Sequence, residues 1–290
     1  ANAVKTAQKI GAKYIISLVE DDNAQVEIAF KVWQLCKERK SSKSKRIITA
    51  IHLKDPEYVN LLTQHEEAVH KTDNYDLRIF NTYENSVREL TIKHPFDHVN
   101  IQPASSKFVQ IVLIGFGYIG ERIVLHAAQT CHFANQKKPQ IIIFDSAAHL
   151  SQKIFLDKHP ALQDICDIQW KPFDFDNINL EKELTTYIHD ENSITSILFV
   201  FDDPVKNIMK AVEISKTVTN DSSVLVRMHD ESVLANALET GSGDFFAENI
   251  AVFGLPKQTS SFELIIEEKL DKMARAIHEY YLEKFPPDSP

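Results

Sequence analysis

The sequence predicts an α/β protein with two Rossmann-like, doubly wound parallel sheets, the first of them incomplete, followed by a C-terminal helix. Three observations lead to this prediction. Apolar β-branched runs alternate with amphipathic helical stretches, a glycine-rich turn follows one of these runs, and three early runs repeat three late ones. Such alternation is typical of a parallel sheet that helices cover on both faces.

Nine apolar runs are candidate strands. Six of them complete one doubly wound sheet, at residues 109–114, 141–144, 165–170, 197–201, 224–226 and 250–253. The first hundred residues contain three, at 14–19, 47–51 and 77–80. A complete Rossmann unit is therefore expected after half of one.

The three early runs resemble the last three of the second unit in their order and in their endings. The run that ends at Asp22 matches the run that ends at Asp203, and His52 matches His229. The number of residues that separates matched positions changes slightly along the two copies, and small changes in loop length account for this difference. The pattern predicts an internal duplication in which the first copy lacks its opening three strands; the alternative is a general likeness between α/β stretches.

Three domains follow from this organisation. Residues 1–103 are predicted as the second half of a first Rossmann unit plus a linker, residues 104–256 as a complete second unit, and residues 257–290 as a C-terminal helix. A capping-box pattern at Ser260 and Glu263 begins that helix, and a stripe with helical spacing continues to Tyr280. The stripe is expected either to pack on the second unit or to begin a further domain.

Composition excludes several classes of protein. A formal net charge of −9 argues against nucleic-acid binding, which needs a clustered basic surface. The basic cluster at residues 37–46 is interpreted as a solvated loop.

Three dispersed cysteines have no spacing that predicts a metal site or a disulfide framework, so no metal and a reducing, cytoplasmic setting are expected.

A phosphate-binding turn is the strongest motif in the sequence. It consists of six consecutive residues after the apolar run 109–114, namely Gly115, Phe116, Gly117, Tyr118, Ile119 and Gly120. The first glycine permits a tight turn, the second lets the backbone approach a diphosphate, and the third lets the helix pack against the strand. The helix that starts here directs its free amides toward the phosphates.

Acidic residues at strand ends complete the predicted site. Asp145 follows the second strand, where its carboxylate can accept hydrogen bonds from both ribose hydroxyls and repel a 2′-phosphate. This favours NAD(H), ADP or ATP over NADP; the alternative role is a helix cap. Asp174, Asp202 and Arg122 are further candidate contacts, although each is equally well explained as a cap or a solvated side chain.

No convincing catalytic acid or base accompanies this site. Tyr280 and Lys284 have the spacing of a short-chain dehydrogenase pair, but they lie in the C-terminal helix, remote from the cofactor motif. His52 and His229 stand at matching strand ends and are interpreted as structural residues. The sequence therefore predicts a protein that is not an enzyme.

Together, the glycine turn, Asp145, the acid-terminated strands and the tandem arrangement resemble the RCK (Trk-type) domains of potassium channels and potassium-uptake regulators. The resemblance covers about residues 3–256. It implies that NAD(H), ADP or ATP is a regulatory ligand bound at the turn, and that the units assemble as a dimer or a gating ring. Residues 270–281 are similar to the start of the ryanodine-receptor repeat domain. The first copy departs from the family because it lacks the glycine turn.

The function predicted on this basis is a cytoplasmic nucleotide sensor of a potassium channel or uptake system. It would work at the inner face of the membrane through segments outside this chain. Two alternatives stay open: an NAD-dependent oxidoreductase, and a ligand-recognition protein of a bacterial signalling or defence system.

Overall fold

A computed structural model describes residues 11–38, 46–64, 74–174, 180–188, 190–218, 222–240 and 249–285. Most of the predicted basic loop, at residues 39–45, lies outside these ranges. The chain divides into two compact units. Unit 1 comprises Ala1–Asn85 together with Ser260–Pro290, and unit 2 comprises Ser86–Thr259. Within the described residues, no helix is long and apolar enough to cross a membrane.

Strands and helices alternate along both units, as the sequence predicts. In unit 1 the elements are β1 (Tyr14–Ser17), α1 (Asp22–Lys37), β2 (Ile47–His52), α2 (Pro56–Gln64), β3 (Tyr75–Phe80) and α3 (Thr82–Lys93), the last of which runs into unit 2. In unit 2 they are β4 (Phe108–Ile114), α4 (Gly117–Thr130), β5 (Gln140–Asp145), α5 (Ala148–Lys158), α6 (Leu162–Ile165), β6 (Asp167–Pro172), α7 (Leu180–Ile188), β7 (Ser193–Phe199), α8 (Pro204–Ser215), β8 (Ser223–Arg227), α9 (Val233–Thr240), β9 (Ile250–Phe253) and α10 (Pro256–Thr259). The C-terminal elements α11 (Phe262–Ile265) and α12 (Lys269–Lys284) belong to unit 1.

Unit 2 contains a six-stranded parallel sheet in the order β6-β5-β4-β7-β8-β9. Strand β4 is apolar and buried from Val109 onward, because helices cover both faces of the sheet. The strand order reverses between β4 and β7. In an open α/β sheet, ligands bind at the carboxyl ends of the strands beside such a reversal. The predicted α/β class with parallel sheets is confirmed.

Two strand boundaries differ from the prediction. The run at 165–170 begins inside the short helix α6, so β6 starts at Asp167. The run at 197–201 ends early, because the side chain of Asn207 bonds to both the N–H and the C=O of Phe201, at 3.0 and 2.9 Å. These bonds lead the backbone out of the β-ladder after Phe199.

Unit 1 contains a three-stranded parallel sheet in the order β1-β2-β3. Apolar side chains of α1 and α2 pack on one face of it, against Ile47 and Ile51. On the other face, Ile265 and Ile266 of the C-terminal segment contact Ala50 and Phe80. The start of the C-terminal stripe, at Ile266, therefore packs on the sheet of its own unit, whereas Ile277 and Tyr280 further along the stripe are exposed.

The C-terminal segment is two helices rather than the single helix predicted. Ser261 caps α11, and the backbone of Glu268 then adopts a left-handed conformation with φ of 48°. This conformation is uncommon for a residue with a side chain. The Glu268 carboxylate is held by two N–H groups of Arg275, at 2.8 and 2.7 Å, and by Arg78 of β3. Charge pairing thus accompanies the break between the helices.

Each unit has a buried amide at the start of one helix, as the predicted internal repeat would require. Asn207 donates to the C=O of Phe201 at 2.9 Å, and Gln25 donates to the C=O of Val19 at 2.7 Å. Both side chains are fully buried. The two amides therefore perform the same task, tying the first turn of a helix to the end of the preceding strand.

Strand pairing corrects the register of this repeat. His52 of β2 lies opposite Phe80, and Arg227 of β8 lies opposite Phe253. The structural counterpart of His52 is therefore Arg227, not His229. Sequence matching aligned the two histidines because they are the same residue type, whereas the backbone register places His229 two positions beyond the strand position of His52.

Candidate functional site

The glycine turn follows β4 and adopts a left-handed backbone at two of its three glycines. Gly115 has φ of 92° and Gly117 has φ of 53°, a region that L-residues with side chains rarely adopt. The N–H of Gly115 donates to the C=O of Phe144 at 2.8 Å, which ties the turn to the end of β5. A Cβ at Gly115 would lie 3.1 Å from the ring of Phe201, so the turn also passes close to the end of β7.

Phe116 and Gly120 form a packed pair beneath the turn. The Phe116 ring is buried edge-on against Phe155 and Trp170, with centroid distances of 5.3 and 4.8 Å. A Cβ at Gly120 would lie 2.8 Å from the Phe116 ring, closer than real Cβ contacts allow. The third glycine is therefore needed because the second residue of the motif turns inward.

The N-terminus of α4 opens to solvent at the turn. Gly117 and Tyr118 are exposed, whereas Ile119 and Gly120 are buried. The N-cap residue, Phe116, makes no side-chain hydrogen bond to the helix. Phe116 therefore does not cap α4, and the start of a helix is a favourable place for an anion because of the helix dipole.

Asp145 is the last residue of β5, at the same edge of the sheet as the turn. Its Oδ1 accepts a hydrogen bond from the N–H of Ala147 at 2.8 Å. This bond closes a local turn before α5 and is not the helix cap that the sequence left open, because Ala147 is the N-cap residue of α5 and no side chain caps that helix. An aspartate carboxylate has a second oxygen, so the same residue can also accept from a ribose hydroxyl.

The other predicted contacts lie around this edge. Arg122 follows the turn in α4, and its guanidinium is 3.5 Å from the carboxylate of Glu121, which also lies 3.9 Å from Nε2 of His159. Asp174 is exposed, two residues beyond β6. Asp202 is exposed beyond β7 and pairs with Arg227. Asp145 differs from these three residues because it ends β5, the strand to which the turn is hydrogen-bonded.

Arg227 is a residue that sequence reasoning missed. It ends β8, and its Nη1 lies 3.0 Å from Oδ1 of Asp202. Only 12% of the arginine side chain is exposed, whereas the aspartate is fully exposed. The ion pair therefore holds a cation at the carboxyl edge of the sheet, on the β7–β8 side of the strand reversal. His229 is exposed two residues further along.

The cysteines and Tyr280 show no sign of catalysis. Burial raises the pKa of the Cys131 and Cys166 thiols to about 11, which keeps them protonated and poorly nucleophilic at neutral pH. Tyr280 accepts a hydrogen bond from Lys284 at 2.8 Å on the exposed helix α12. Among the described residues, no three His, Cys, Asp or Glu side chains are grouped so that they could hold a metal ion.

Several solved structures have a fold similar to this chain. They include an NAD-complexed D-isomer specific 2-hydroxyacid dehydrogenase from Lactobacillus delbrueckii ssp. bulgaricus, with 11% identity over 95% of this chain and 98% of the other and a TM-score of 0.33. The D-mandelate dehydrogenase of Rhodotorula graminis has 9% identity over 91% and 92%, with a TM-score of 0.35. The phosphoglycerate dehydrogenase of Lactobacillus plantarum has 10% identity over 98% and 88%, with a TM-score of 0.36. No family model and no curated protein matches the sequence.

These comparisons correct the family and function predicted from the sequence. The similar structures are dehydrogenases, so the prediction of RCK-type domains in a potassium-channel regulator is wrong, as are the prediction of a ryanodine-receptor-like tail and that of a protein without enzymatic activity. The physical reason is that a glycine turn followed by a ribose carboxylate occurs in many Rossmann proteins and does not distinguish sensors from enzymes. At such low identity and TM-score, no substrate is carried over to this chain.

Proposed function

We propose that unit 2 binds NAD(H) and that the chain is an NAD(H)-dependent oxidoreductase. The observation that carries this proposal is the turn itself: Gly115 and Gly117 have positive φ directly after the buried strand β4, and the N-terminus of α4 follows. Four backbone elements and one side chain thus coincide at the reversal of strand order: the strand β4, the glycine turn, the helix α4, the second strand β5 and the carboxylate that ends it.

Each part of the dinucleotide has a counterpart in these residues. The amides of the turn and of α4 would hold the diphosphate. Asp145 would accept hydrogen bonds from the adenosine ribose and disfavour a 2′-phosphate. The nicotinamide half would then extend toward the carboxyl ends of β7 and β8, where Asp202 and Arg227 lie.

Two side chains on that side can serve the reaction. When bound, NAD(H) supplies hydride transfer. Arg227 would bind an anionic carbonyl substrate by exchanging its ion pair with Asp202 for one with the substrate. His229 would exchange the proton with the substrate, because an imidazole can act as both a general acid and a general base.

Turnover tests the enzymatic part of the proposal. NADH absorbance is followed in the presence of a panel of carboxylate-bearing carbonyl compounds and of uncharged aldehydes and ketones. We expect oxidation that depends on the carboxylate, and a rise in KM when Arg227 is replaced by glutamine. His229→Gln should lower kcat by roughly a hundredfold or more, the usual contribution of acid–base catalysis. Bound NADH that no compound in the panel oxidises would overturn the oxidoreductase assignment and leave the binding site intact.

A further inference from the structure

Asn207, in the first turn of α8, joins the ends of two strands through its side chain. Its amide nitrogen donates to the C=O of Phe201 at 2.9 Å and to the C=O of Arg227 at 3.1 Å. Its amide oxygen accepts from the N–H of Phe201 at 3.0 Å. The side chain is fully buried. Both ends of the amide group are therefore used to hold backbone.

These bonds begin where the pairing of the two strands ends. Strands β7 and β8 are paired up to Phe199, which lies opposite Val226. Beyond this pair, the Asn207 amide connects the backbone at Phe201 with the backbone at Arg227. The side chain thus replaces the ladder hydrogen bonds that a longer pair of strands would make.

The ion pair of Arg227 with Asp202 is carried by the same two backbone segments. Asp202 directly follows Phe201, and the carboxylate of Asp202 is fully exposed. An ion pair with an exposed partner stabilises a structure weakly. A buried amide group that lost its partners would be costly. Asn207 is therefore the stronger of these two links between the strand ends.

Phe201 relates this link to the glycine turn. A Cβ at Gly115 would lie 3.1 Å from the Phe201 ring, so the ring lies close to the turn. Asn207 holds Phe201 by its N–H and its C=O, and it holds Arg227 by its C=O. The backbone that carries Arg227 is therefore fixed relative to the turn that is proposed to bind the dinucleotide.

We propose that Asn207 is a positioning residue, which keeps Arg227 in place when a substrate carboxylate replaces Asp202 as the partner of the guanidinium. The backbone C=O of Arg227 stays bonded to Asn207 while its side chain changes partner. Asn207 contacts neither ligand and acts through Arg227 and Phe201. The consequence for the reaction rests on the proposed function, because hydride transfer needs a fixed distance between substrate and dinucleotide. The link itself is independent of that function.

Hydrogen exchange of the ligand-free chain tests the link. Asn207→Asp keeps the size of the side chain and the acceptor for the Phe201 N–H, but it removes both N–H donors. The peptide group after Arg227 has its C=O bonded to Asn207 and its N–H, that of Met228, bonded to Phe253 at 2.9 Å. We therefore expect the Met228 amide to exchange roughly tenfold faster in this variant, the effect of losing about one hydrogen bond.

Two matched variants and one reference amide provide the controls. Asp202→Asn removes the charge of the ion pair and keeps Asn207, so it should leave exchange at Met228 unchanged. Gln25→Glu makes the same change from amide to acid at the fully buried amide of unit 1, and it should also have no effect there. The Asp167 amide, bonded to the C=O of Pro139 at 3.0 Å, reports on unit 2 away from Asn207 and should not change in any variant.

Binding of oxamate tests the consequence for the reaction. Oxamate is a carboxylate-bearing carbonyl compound that NADH does not reduce, and it is titrated at saturating NADH. Asn207→Asp should weaken oxamate binding roughly tenfold, again the effect of about one hydrogen bond. NADH binding should stay unchanged, because the acceptor for Phe201 is kept. Asp202→Asn should bind oxamate at least as tightly as the unaltered chain, because a competing carboxylate is removed.

The two measurements separate failure of this proposal from failure of the proposed function. Unchanged Met228 exchange in Asn207→Asp, or equal acceleration at Asp167, would overturn the positioning role. Faster Met228 exchange or weaker oxamate binding in Asp202→Asn would also overturn it, even if Asn207→Asp does not fold, because the ion pair would then position Arg227. An unaltered chain that binds NADH but not oxamate would contradict the substrate contact assigned to Arg227, and the exchange measurement would then decide the proposal alone.

Discussion

Asp145 combines a structural bond with the proposed ribose contact, and the two roles can be separated. Replacement by asparagine keeps an oxygen that can accept from the Ala147 N–H, but it removes the negative charge. We therefore expect Asp145→Asn to leave the fold unchanged and to weaken NADH binding more than NADPH binding. The ribose bond loses its charge assistance, while the repulsion of a 2′-phosphate falls.

Competition between the two dinucleotides, measured by calorimetry, checks this expectation. Asp190→Asn is the matched control, because Asp190 also accepts from the N–H two residues ahead, at 2.8 Å, but lies before β7 at the opposite edge of the sheet. If Asp145→Asn weakens both dinucleotides equally, the carboxylate is a structural residue, and the assigned role is wrong.

At the scale of one element, the glycine turn should respond differently at its second and third glycines. A Cβ at Gly117 meets no atom within 4 Å, whereas a Cβ at Gly120 meets the buried Phe116 ring. Gly120→Ala should therefore destabilise unit 2 by about 1–3 kcal/mol through overpacking. Gly117→Ala should lower the free energy of unfolding by about 1 kcal/mol, because the backbone at this position is left-handed. It should weaken NADH binding strongly, because the added methyl group lies on the exposed face of the turn.

Denaturant unfolding and NADH titration of the two variants make the comparison. The double change Gly120→Ala with Phe116→Leu provides the control, since a smaller side chain removes the clash. Recovery of stability in the double variant supports the packing account. A Gly117→Ala variant that binds NADH normally would show that the backbone of the turn does not contact the ligand.

Some features of these elements could be predicted from the sequence, and others could not. The strands, the glycine turn and the carboxylate after β5 could be predicted, because each depends on local composition and spacing. The inward rotation of Phe116 could not, since it depends on Phe155 and Trp170, which are distant in sequence. The break at Glu268 could not either, because it coincides with ion pairs to Arg78 and Arg275.

Function was less accessible than fold for a related reason. The ion pair of Arg227 with Asp202 joins the ends of two strands; Asp202 was a candidate contact, but Arg227 belongs to no recognisable motif. The register of the repeat had to be known before Arg227, not His229, could be placed at the end of β8. Motif matching alone therefore led to the wrong family, although the Rossmann-like α/β class with parallel sheets was predicted correctly.

For the whole molecule, histidines that folding buries wholly or in part should make stability depend on pH. Burial is the main cause that lowers the pKa of His52, His94 and His126 below the ordinary value of 6.5. In the unfolded chain these groups bind protons as the pH falls through 6.5, while the folded forms stay neutral. Stability is therefore complete above 6.5, and it decreases as the pH falls below that value toward the lowered pKa values.

Unfolding free energies measured between pH 7 and 5 check this prediction. His126→Gln should flatten the dependence for unit 2, because glutamine can still bond to Thr91, which lies 3.0 Å from His126 Nε2, and does not titrate. His98, an exposed histidine of the same unit, provides the control in His98→Gln. A stability that is constant or rises toward pH 5 would contradict the lowered pKa values of these three histidines in the folded chain.

Calorimetric titration of the full chain with NADH tests the central claim most directly, because the claim rests on the geometry of one turn. The proposed site predicts saturable binding of one NADH per chain with micromolar-range affinity, about −8 kcal/mol. Binding should be weaker for NADPH, because Asp145 repels the 2′-phosphate. A folded chain that binds neither dinucleotide would contradict the claim, and so would one that binds NADPH as tightly as NADH.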